Sequence, residues 1–221
     1  MATKHVKNVF GLTLKNGTIP KQILKISFAM TCIVSSKISS FSGNFVVPGD
    51  KSISHRALMF ASSAIGESKI TGLLEGEDVM ATARALRCLG AGIEKNKEGD
   101  WIIVGRGVGG LREPAQVLDL GNSGTGVRLL MGLLASHPFN TMFVGDNSLS
   151  TRPMERVMAP LRLMGAEFTA RSGGLLPLTV HGTDMLMPAE VTLPVASAQV
   201  KSAILLAGLN TRGKTTIIEP A

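Results

Sequence analysis

The chain has 221 residues, 44% of them hydrophobic, and its 23 lysines and arginines outnumber 16 aspartates and glutamates to give a formal net charge of +7. This length and apolar content suffice for a buried core of one large or two small domains, whereas no apolar run is long enough to span a bilayer. Two cysteines, Cys32 and Cys88, are too few for a disulfide framework and indicate reduced thiols in a cytoplasmic protein, and no Cys/His cluster has the spacing of a metal site.

The positive charge is concentrated at the start of the chain. Residues 1–49 contain six lysines and no acidic residue, whereas residues 50–221 carry 17 basic and 16 acidic residues. A nucleic-acid groove needs a basic stripe with interleaved aromatic side chains, and the chain has one Trp and no Tyr. We therefore expect no nucleic-acid partner.

Residues 1–40 differ in composition from the rest. Their apolar stretch from Ile23 to Val34 is interrupted by Lys25, and the order of charges and small residues does not match a secretory signal. An organelle transit peptide is normally rich in arginine, and this segment has none. We predict a poorly ordered basic leader, with Met30 as an alternative start, followed by a folded domain over residues 41–221.

The first predicted structural unit follows the leader. The pattern predicts a β-α-β-α-β-β order: a strand from Phe41 to Val47, a helix from about Ser54 to Ala64, a strand over 68–73, a helix over 79–89 and a hairpin over 92–105. Asp78 is placed to cap the second helix and Gly90 to end it.

A polar turn, Gly49–Arg56, delivers charge to the first helix. Lys51 and Arg56 carry two cations, and Ser52 and Ser54 carry hydroxyl donors, close to the unpaired N–H groups and the positive end of the helix dipole. These features favour an anion, although one such turn alone is more often an ordinary N-cap with surface charges.

The turn recurs along the chain. Moved by 72 residues, Gly49–Arg56 falls on Gly121–Arg128, and a further 73 residues on it falls on Pro194–Lys201. Leu86–Ala91 recurs as Leu161–Ala166 at an offset of 75. Such fixed-period similarity indicates a repeated supersecondary unit. Three turns of this kind predict one shared polyanion site.

The remaining elements repeat the same order. The second unit has strands over 118–120 and 140–145, helices over 124–136 and 153–164, and a hairpin over 167–180. The third has a strand over 191–193, a helix over 198–209 and a strand over 215–218, without a second helix or hairpin. We therefore predict an α/β fold of about two and a half units, with apolar helix faces that lack a partner.

From about Ser42 to Ala221 the chain closely resembles the 5-enolpyruvylshikimate-3-phosphate synthase family, through four motifs in order: PGDKSISHRAL, LDLGNSGTGVRLL, TRPMERV and VASAQVKSAILLAGL. The resemblance implies an enolpyruvyl transferase-type inside-out α/β barrel of two lobes, each with three β-α-β-α-β-β units. Residues 41–221 would be the first lobe, with its third unit truncated. The resemblance also implies transfer of the enolpyruvyl group of phosphoenolpyruvate to the 5-hydroxyl of shikimate 3-phosphate, in aromatic amino acid biosynthesis, without metal or organic cofactor.

The resemblance assigns the shikimate 3-phosphate contacts. Lys51 would touch both substrates and assist charge and proton transfer as the catalytic residue, while Ser52 and Arg56 would hold shikimate 3-phosphate, Arg56 as a bidentate clamp on its carboxylate. Ser197 and the Ala198 N–H would take the 3-phosphate. Gln199, the next residue along the chain, would contact both shikimate 3-phosphate and phosphoenolpyruvate.

It also assigns the phosphoenolpyruvate contacts. Gly124 would allow close backbone approach, and Arg152 would supply charge. Asn122 and Thr125 would support that turn from behind. Two cations have alternative interpretations, as site supports or as inward-facing structural charges: Arg128 and Lys201. His55 is expected to be a packed or capping residue.

Two features separate this chain from the related amino-sugar enolpyruvyl transferases. In that family the lysine is followed by Asn, whereas Ser52 follows Lys51 here, and it usually uses a loop cysteine, whereas no cysteine follows Cys88. Both features favour shikimate 3-phosphate as the substrate. The space beside Gly124 predicts that the complete enzyme is a glyphosate target.

The family's second lobe supplies an acidic proton-transfer pair and further cationic contacts. We therefore expect the chain alone to be inactive and to work with a complementary C-terminal half chain or as part of a longer chain. A truncated remnant with weak anion binding, and a phosphate-dependent or RNA-interacting module on the same scaffold, are the alternatives.

Overall fold

The structure, a computed structural model, describes residues 43–44 and 47–220 of the chain. The predicted leader over 1–40, the alternative start Met30, Cys32 and most of the predicted strand over 41–47 lie outside these described residues. From Val47 onward the chain forms one compact unit. No helix in this described part is both long and apolar enough to cross a bilayer.

Helices and strands alternate as the repeat predicts. The helices of the described part are α1 (Lys51–Ser63), α2 (Glu77–Cys88), α3 (Gly124–Ala135), α4 (Glu155–Leu163) and α5 (Ala198–Gly208). The strands are β1 (Ile65–Ile70), β2 (Gly92–Lys95), β3 (Trp101–Arg106), β4 (Leu118–Asp119), β5 (Asn140–Val144), β6 (Glu167–Arg171), β7 (Leu175–His181), β8 (Glu190–Thr192) and β9 (Thr216–Ile218). A short 3₁₀ helix, Leu149–Thr151, follows β5.

The sheets repeat one topology. The second unit pairs in the order β4-β5-β7-β6, and the first unit shows the corresponding order β1-β3-β2. In the second unit β4 runs parallel to β5 across the α3 crossover, and β7 joins β5 in antiparallel register. In the third unit β8 pairs parallel to β9 across α5. The described part of the chain therefore has the predicted α/β repeat.

The first helix and the strand after it begin earlier than predicted. α1 starts at Lys51 rather than Ser54, because the Asp50 carboxylate accepts a hydrogen bond from the Ile53 N–H at 2.7 Å and caps the helix there. β1 ends at Ile70 rather than at residue 73, because Gly72 turns the chain with a φ of +71°.

The predicted cap of α2 was wrong. Gly76 occupies the N-cap position without a side-chain hydrogen bond, and Asp78 lies inside the first turn. The carboxylate of Asp78 forms an ion pair with Lys51 of α1 instead. A negative charge in the first turn still suits the helix dipole, but the side chain serves the contact between two helices.

Helix α3 lies at the centre of the core. All of its residues except Thr125 are buried, and it packs against α1, α2, α4 and α5. A helix that is apolar on all faces is stable only when other elements surround it.

Candidate active site

The N-terminal turns of α1, α3 and α5 lie at the same end of the core. Thr82 of α2 joins the first two: His55 Nδ1 lies 2.8 Å from its Oγ1, and a Cβ built on Gly126 would lie 2.7 Å from that oxygen. Gln199 joins the third, since its Nε2 donates to Thr125 Oγ1 at 2.9 Å. Three positive helix ends are therefore grouped as the repeat predicts.

The α1 turn presents Lys51 and Ser52 to solvent and leaves Arg56 half-buried. The side chain of Lys51 is 51% exposed, and its ammonium group pairs with Asp78. The turn is anchored from behind, because Ser54 Oγ accepts a hydrogen bond from the Leu74 N–H at 3.0 Å. An anion at this turn therefore meets an exposed lysine that already has one carboxylate partner.

At the α3 turn, Gly124 lies between two guanidinium groups. Ser123 caps the helix by accepting a hydrogen bond from the Gly126 N–H at 3.2 Å. A Cβ on Gly124 would lie 3.0 Å from Arg128 Nη1 and 3.4 Å from Arg152 Nη1. The missing side chain at Gly124 therefore keeps open the space that both cations face.

Arg152 is held by neutral partners. Its Nη2 donates to Asn122 Oδ1 at 2.6 Å and to Ser148 Oγ at 2.9 Å, and Asn122 Nδ2 donates to Asp146 Oδ2 at 2.7 Å. The Leu149 N–H, and then the Asn122 amide, hold the pKa of Asp146 below its usual value. A charged Asp146 orients Asn122, which in turn orients Arg152, and no carboxylate between residues 47 and 220 lies within salt-bridge distance of this arginine.

Arg128 is a buried cation without a carboxylate partner in the described part of the chain. Only 6% of the residue is exposed. Its Nη1 donates to Gln199 Oε1 at 3.1 Å and to Gly124 O at 3.4 Å, while its Nε has no hydrogen-bond partner among the described residues. Burial, together with the nearby charges of Arg156 and Arg152, lowers the pKa of Arg128 to about 10. A buried charge of this kind is costly unless an anion compensates it.

Arg156 belongs to the same cluster, although the sequence did not single it out. Its Nη2 donates to Gln199 Oε1 at 3.1 Å, and within residues 47–220 no carboxylate lies within salt-bridge distance of it. The internal repeat does not indicate Arg156, because the corresponding residue of the first unit, 75 positions earlier, is Ala81. Its position in TRPMERV, four residues after Arg152, was the available signal.

At the α5 turn, the predicted residues Ser197 and Ala198 lie together at the start of the helix, whereas Lys201 takes part in a separate ion pair. Ser197 caps the helix through the Val200 N–H at 3.4 Å, and Ala198 is exposed beside it. Lys201 pairs with Glu219, which favours the structural interpretation of this cation. An apolar groove of about 640 Å³ adjoins the turn and is lined by Arg156, Ala159, Pro160, Leu163, Val191, Thr192, Leu193, Pro194, Val195, Ala196, Ser197 and Val200.

His55 is placed as a packing residue. It is fully buried, and desolvation lowers its pKa to about 4, so the ring is neutral at physiological pH. Between residues 47 and 220 no cluster of His, Cys, Asp and Glu is arranged to hold a metal ion.

The repeated units, with cations grouped near the N-terminal turns of α1, α3 and α5, define the class of this protein as an enolpyruvyl transferase-type lobe. The family model of EPSP synthase (3-phosphoshikimate 1-carboxyvinyltransferase) matches residues 35–221. The chain belongs to this family.

Relatives and solved structures agree with this assignment. The chain is 62% identical over 185 residues to a 3-phosphoshikimate 1-carboxyvinyltransferase of Paramagnetospirillum magneticum, and 61% identical over 188 residues to one of Zymomonas mobilis. These alignments cover 84% and 85% of this chain. A solved EPSP synthase from Acinetobacter baumannii superposes with a TM-score of 0.77 at 50% identity, over 81% of this chain and 40% of the solved chain. The chain spans 42% of the length of each of the two curated relatives.

Proposed function

We propose that this chain is the N-terminal lobe of an enzyme that transfers the enolpyruvyl group of phosphoenolpyruvate to the 5-hydroxyl of shikimate 3-phosphate. The observation that carries the proposal is the cluster of Arg128, Arg152 and Arg156, which in the described residues has no carboxylate within salt-bridge distance. Both substrates carry a phosphate and a carboxylate. Guanidinium groups beside helix N-termini are well suited to such ligands.

Shikimate 3-phosphate would lie between the α1 and α5 turns. Ser52 and Arg56 are on the first turns of α1, and Ser197 and Ala198 begin α5. The N–H of the exposed residue Ala198 and the Ser197 hydroxyl suit a phosphate, and the guanidinium of the half-buried residue Arg56 suits the ring carboxylate. Lys51 would lie beside the 5-hydroxyl that reacts.

Phosphoenolpyruvate would lie at the α3 turn, where Gly124 leaves room beside Arg152. In the addition step the 5-oxygen bonds to C2 of phosphoenolpyruvate, its proton leaves, and C3 gains a proton. In the elimination step the C2–O bond to phosphate breaks, and C3 loses a proton. Lys51 would stabilise charge and assist proton transfer in both steps, since it is cationic and exposed at the site.

The complete reaction would need the part of the relatives that this chain does not span. That part would close over the two substrates, exclude water and supply further proton-transfer groups. We therefore propose that turnover occurs only when this lobe is joined to, or assembled with, that remainder. We also propose a cytoplasmic location for the enzyme.

The binding half of this proposal is tested by calorimetric titration of shikimate 3-phosphate into the chain, with shikimate as the ligand control. We expect shikimate 3-phosphate to bind, Arg56→Gln to weaken binding about tenfold or more, and shikimate to bind far more weakly. Arg162→Gln is the matched charge control, because Arg162 has a carboxylate partner of its own, Glu155, and makes no hydrogen bond to the residues of the cluster in the described part of the chain. Equal binding of the two ligands, or equal effects of the two variants, would contradict the proposal.

A further inference from the structure

The carboxamide of Gln199 is held by three residues from two other helices. Its Oε1 accepts hydrogen bonds from Arg128 Nη1 of α3 and Arg156 Nη2 of α4, each at 3.1 Å. Its Nε2 donates to Thr125 Oγ1 of α3 at 2.9 Å. Because a guanidinium group only donates, the amide oxygen must face both arginines, and this fixes which way the amide points.

This arrangement decides what Gln199 can offer to a ligand. Two arginine hydrogen bonds occupy the two lone pairs of the amide oxygen, so this oxygen has no acceptor capacity left. The nitrogen has one N–H that is used by no hydrogen bond to the described residues. Gln199 therefore presents a fixed donor beside two cations, which is suited to an anionic oxygen.

The two arginines are not equivalent. Arg128 is buried and also bonded to Gly124 O, so its guanidinium is part of the α3 core. Arg156 lies on the exposed side of α4, and its one side-chain hydrogen bond within the described chain goes to Gln199. Arg156 also lines the apolar groove of about 640 Å³ next to the α5 turn.

We propose that Arg156 is a positioning residue, which acts on the bound anion through the amide of Gln199 rather than by direct contact. Together with Arg128, it prevents the amide from turning its oxygen toward the anion, where the two would repel. The role of Gln199 as a substrate contact rests on the proposed function. The orientation of its amide by Arg156 does not depend on that function.

A double-mutant cycle separates positioning from direct charge. Shikimate 3-phosphate is titrated into the wild-type chain, Arg156→Ala, Gln199→Ala and the double variant. We expect each single variant to weaken binding about tenfold. The double variant should bind within about twofold of the single variant that has the lower affinity. Losses that multiply would show that Arg156 acts on its own, and would overturn the proposal.

A measurement without ligand tests the same contact. In ¹⁵N-labelled protein, the Gln199 side-chain amide should give two dispersed, slowly exchanging N–H signals. Arg156→Ala should move them toward the values of a free glutamine and speed their exchange with water, whereas Arg162→Ala should leave them unchanged. An unchanged amide in Arg156→Ala would overturn the positioning role. A released amide in a chain that binds no shikimate 3-phosphate would refute the proposed function while leaving the positioning role intact.

Discussion

Gly132 of α3 lies directly against the backbone of Ala203 in α5. A Cβ built on Gly132 would lie 2.0 Å from the Ala203 carbonyl oxygen and 2.6 Å from its carbonyl carbon. Helices α3 and α5 thus pack backbone to backbone. This close approach brings Gln199, at the start of α5, within hydrogen-bond distance of Thr125 and Arg128.

The variant Gly132→Ala should destabilise the fold. The added methyl group meets backbone atoms that cannot rotate away, so the two helices must separate, at a cost of about 3 kcal/mol. Urea unfolding followed by circular dichroism measures this loss. An unchanged or raised stability, as expected for Gly→Ala at an exposed helical position, would show that the helices are not in close contact.

The variant Gly124→Ala, on the same helix, should leave the fold intact and alter binding. Its Cβ would meet the side-chain ends of Arg128 and Arg152, which can shift by a few tenths of an ångström more easily than backbone can, and the space between them would shrink. In the complete enzyme we expect this variant to weaken inhibition by glyphosate, which mimics phosphoenolpyruvate, more than it weakens phosphoenolpyruvate itself. Steady-state inhibition and substrate titrations measure the two effects, and equal losses would refute the expectation.

The variant Gln199→Glu should raise stability and reduce anion binding together. A carboxylate at this position would pair with Arg128 and Arg156, which lie 3.1 Å from the present amide oxygen, and so compensate a buried cation. The same carboxylate would repel shikimate 3-phosphate and remove the N–H donor. The midpoint of thermal unfolding should therefore rise, while the affinity for shikimate 3-phosphate, measured by calorimetric titration, should fall. A fall in stability, or binding as tight as in the wild-type chain, would contradict the assignment of this cluster as an anion site.

The stability of the fold should decrease in acid through His55. Desolvation lowers its pKa from 6.5 to about 4, so between these values the unfolded chain binds more protons than the folded chain. The contribution of His55 to the free energy of unfolding is fully present above about pH 6.5. It is lost as the pH falls toward 4, and the total loss is about 3 kcal/mol. Urea unfolding between pH 7.5 and 4 measures the slope.

His55→Gln is the control for this dependence. The slope should become shallower without vanishing, because burial also lowers the pKa of His137 in the same direction. An identical slope in the wild-type chain and in His55→Gln would place the proton uptake elsewhere.

The architecture was predictable because local signals and the repeat agreed. Gly90 and Gly165 end α2 and α4 with φ values of +93° and +97°, where other residues are strained. The offsets of 72 to 75 residues predicted equivalent helices, and the sheets show equivalent strand orders.

The details that failed depend on contacts between distant residues. Asp78 looked like a helix cap, but its partner is Lys51, 27 residues earlier. Arg156 has no counterpart in the first unit, so the repeat could not predict it. Its importance follows from Gln199, 43 residues later in the sequence. Local patterns place elements, whereas only the packed structure shows which charges share one partner.

The most direct test of the central claim is enolpyruvyl transfer by a chimera. This chain replaces the matching part of the Paramagnetospirillum magneticum relative, to which it is 62% identical, and phosphate release from phosphoenolpyruvate and shikimate 3-phosphate is measured. We predict turnover by the chimera, its loss in Lys51→Ala, and no turnover by this chain alone. A folded chimera that releases no phosphate, or one that is unaffected by Lys51→Ala, would contradict the proposed function of this lobe.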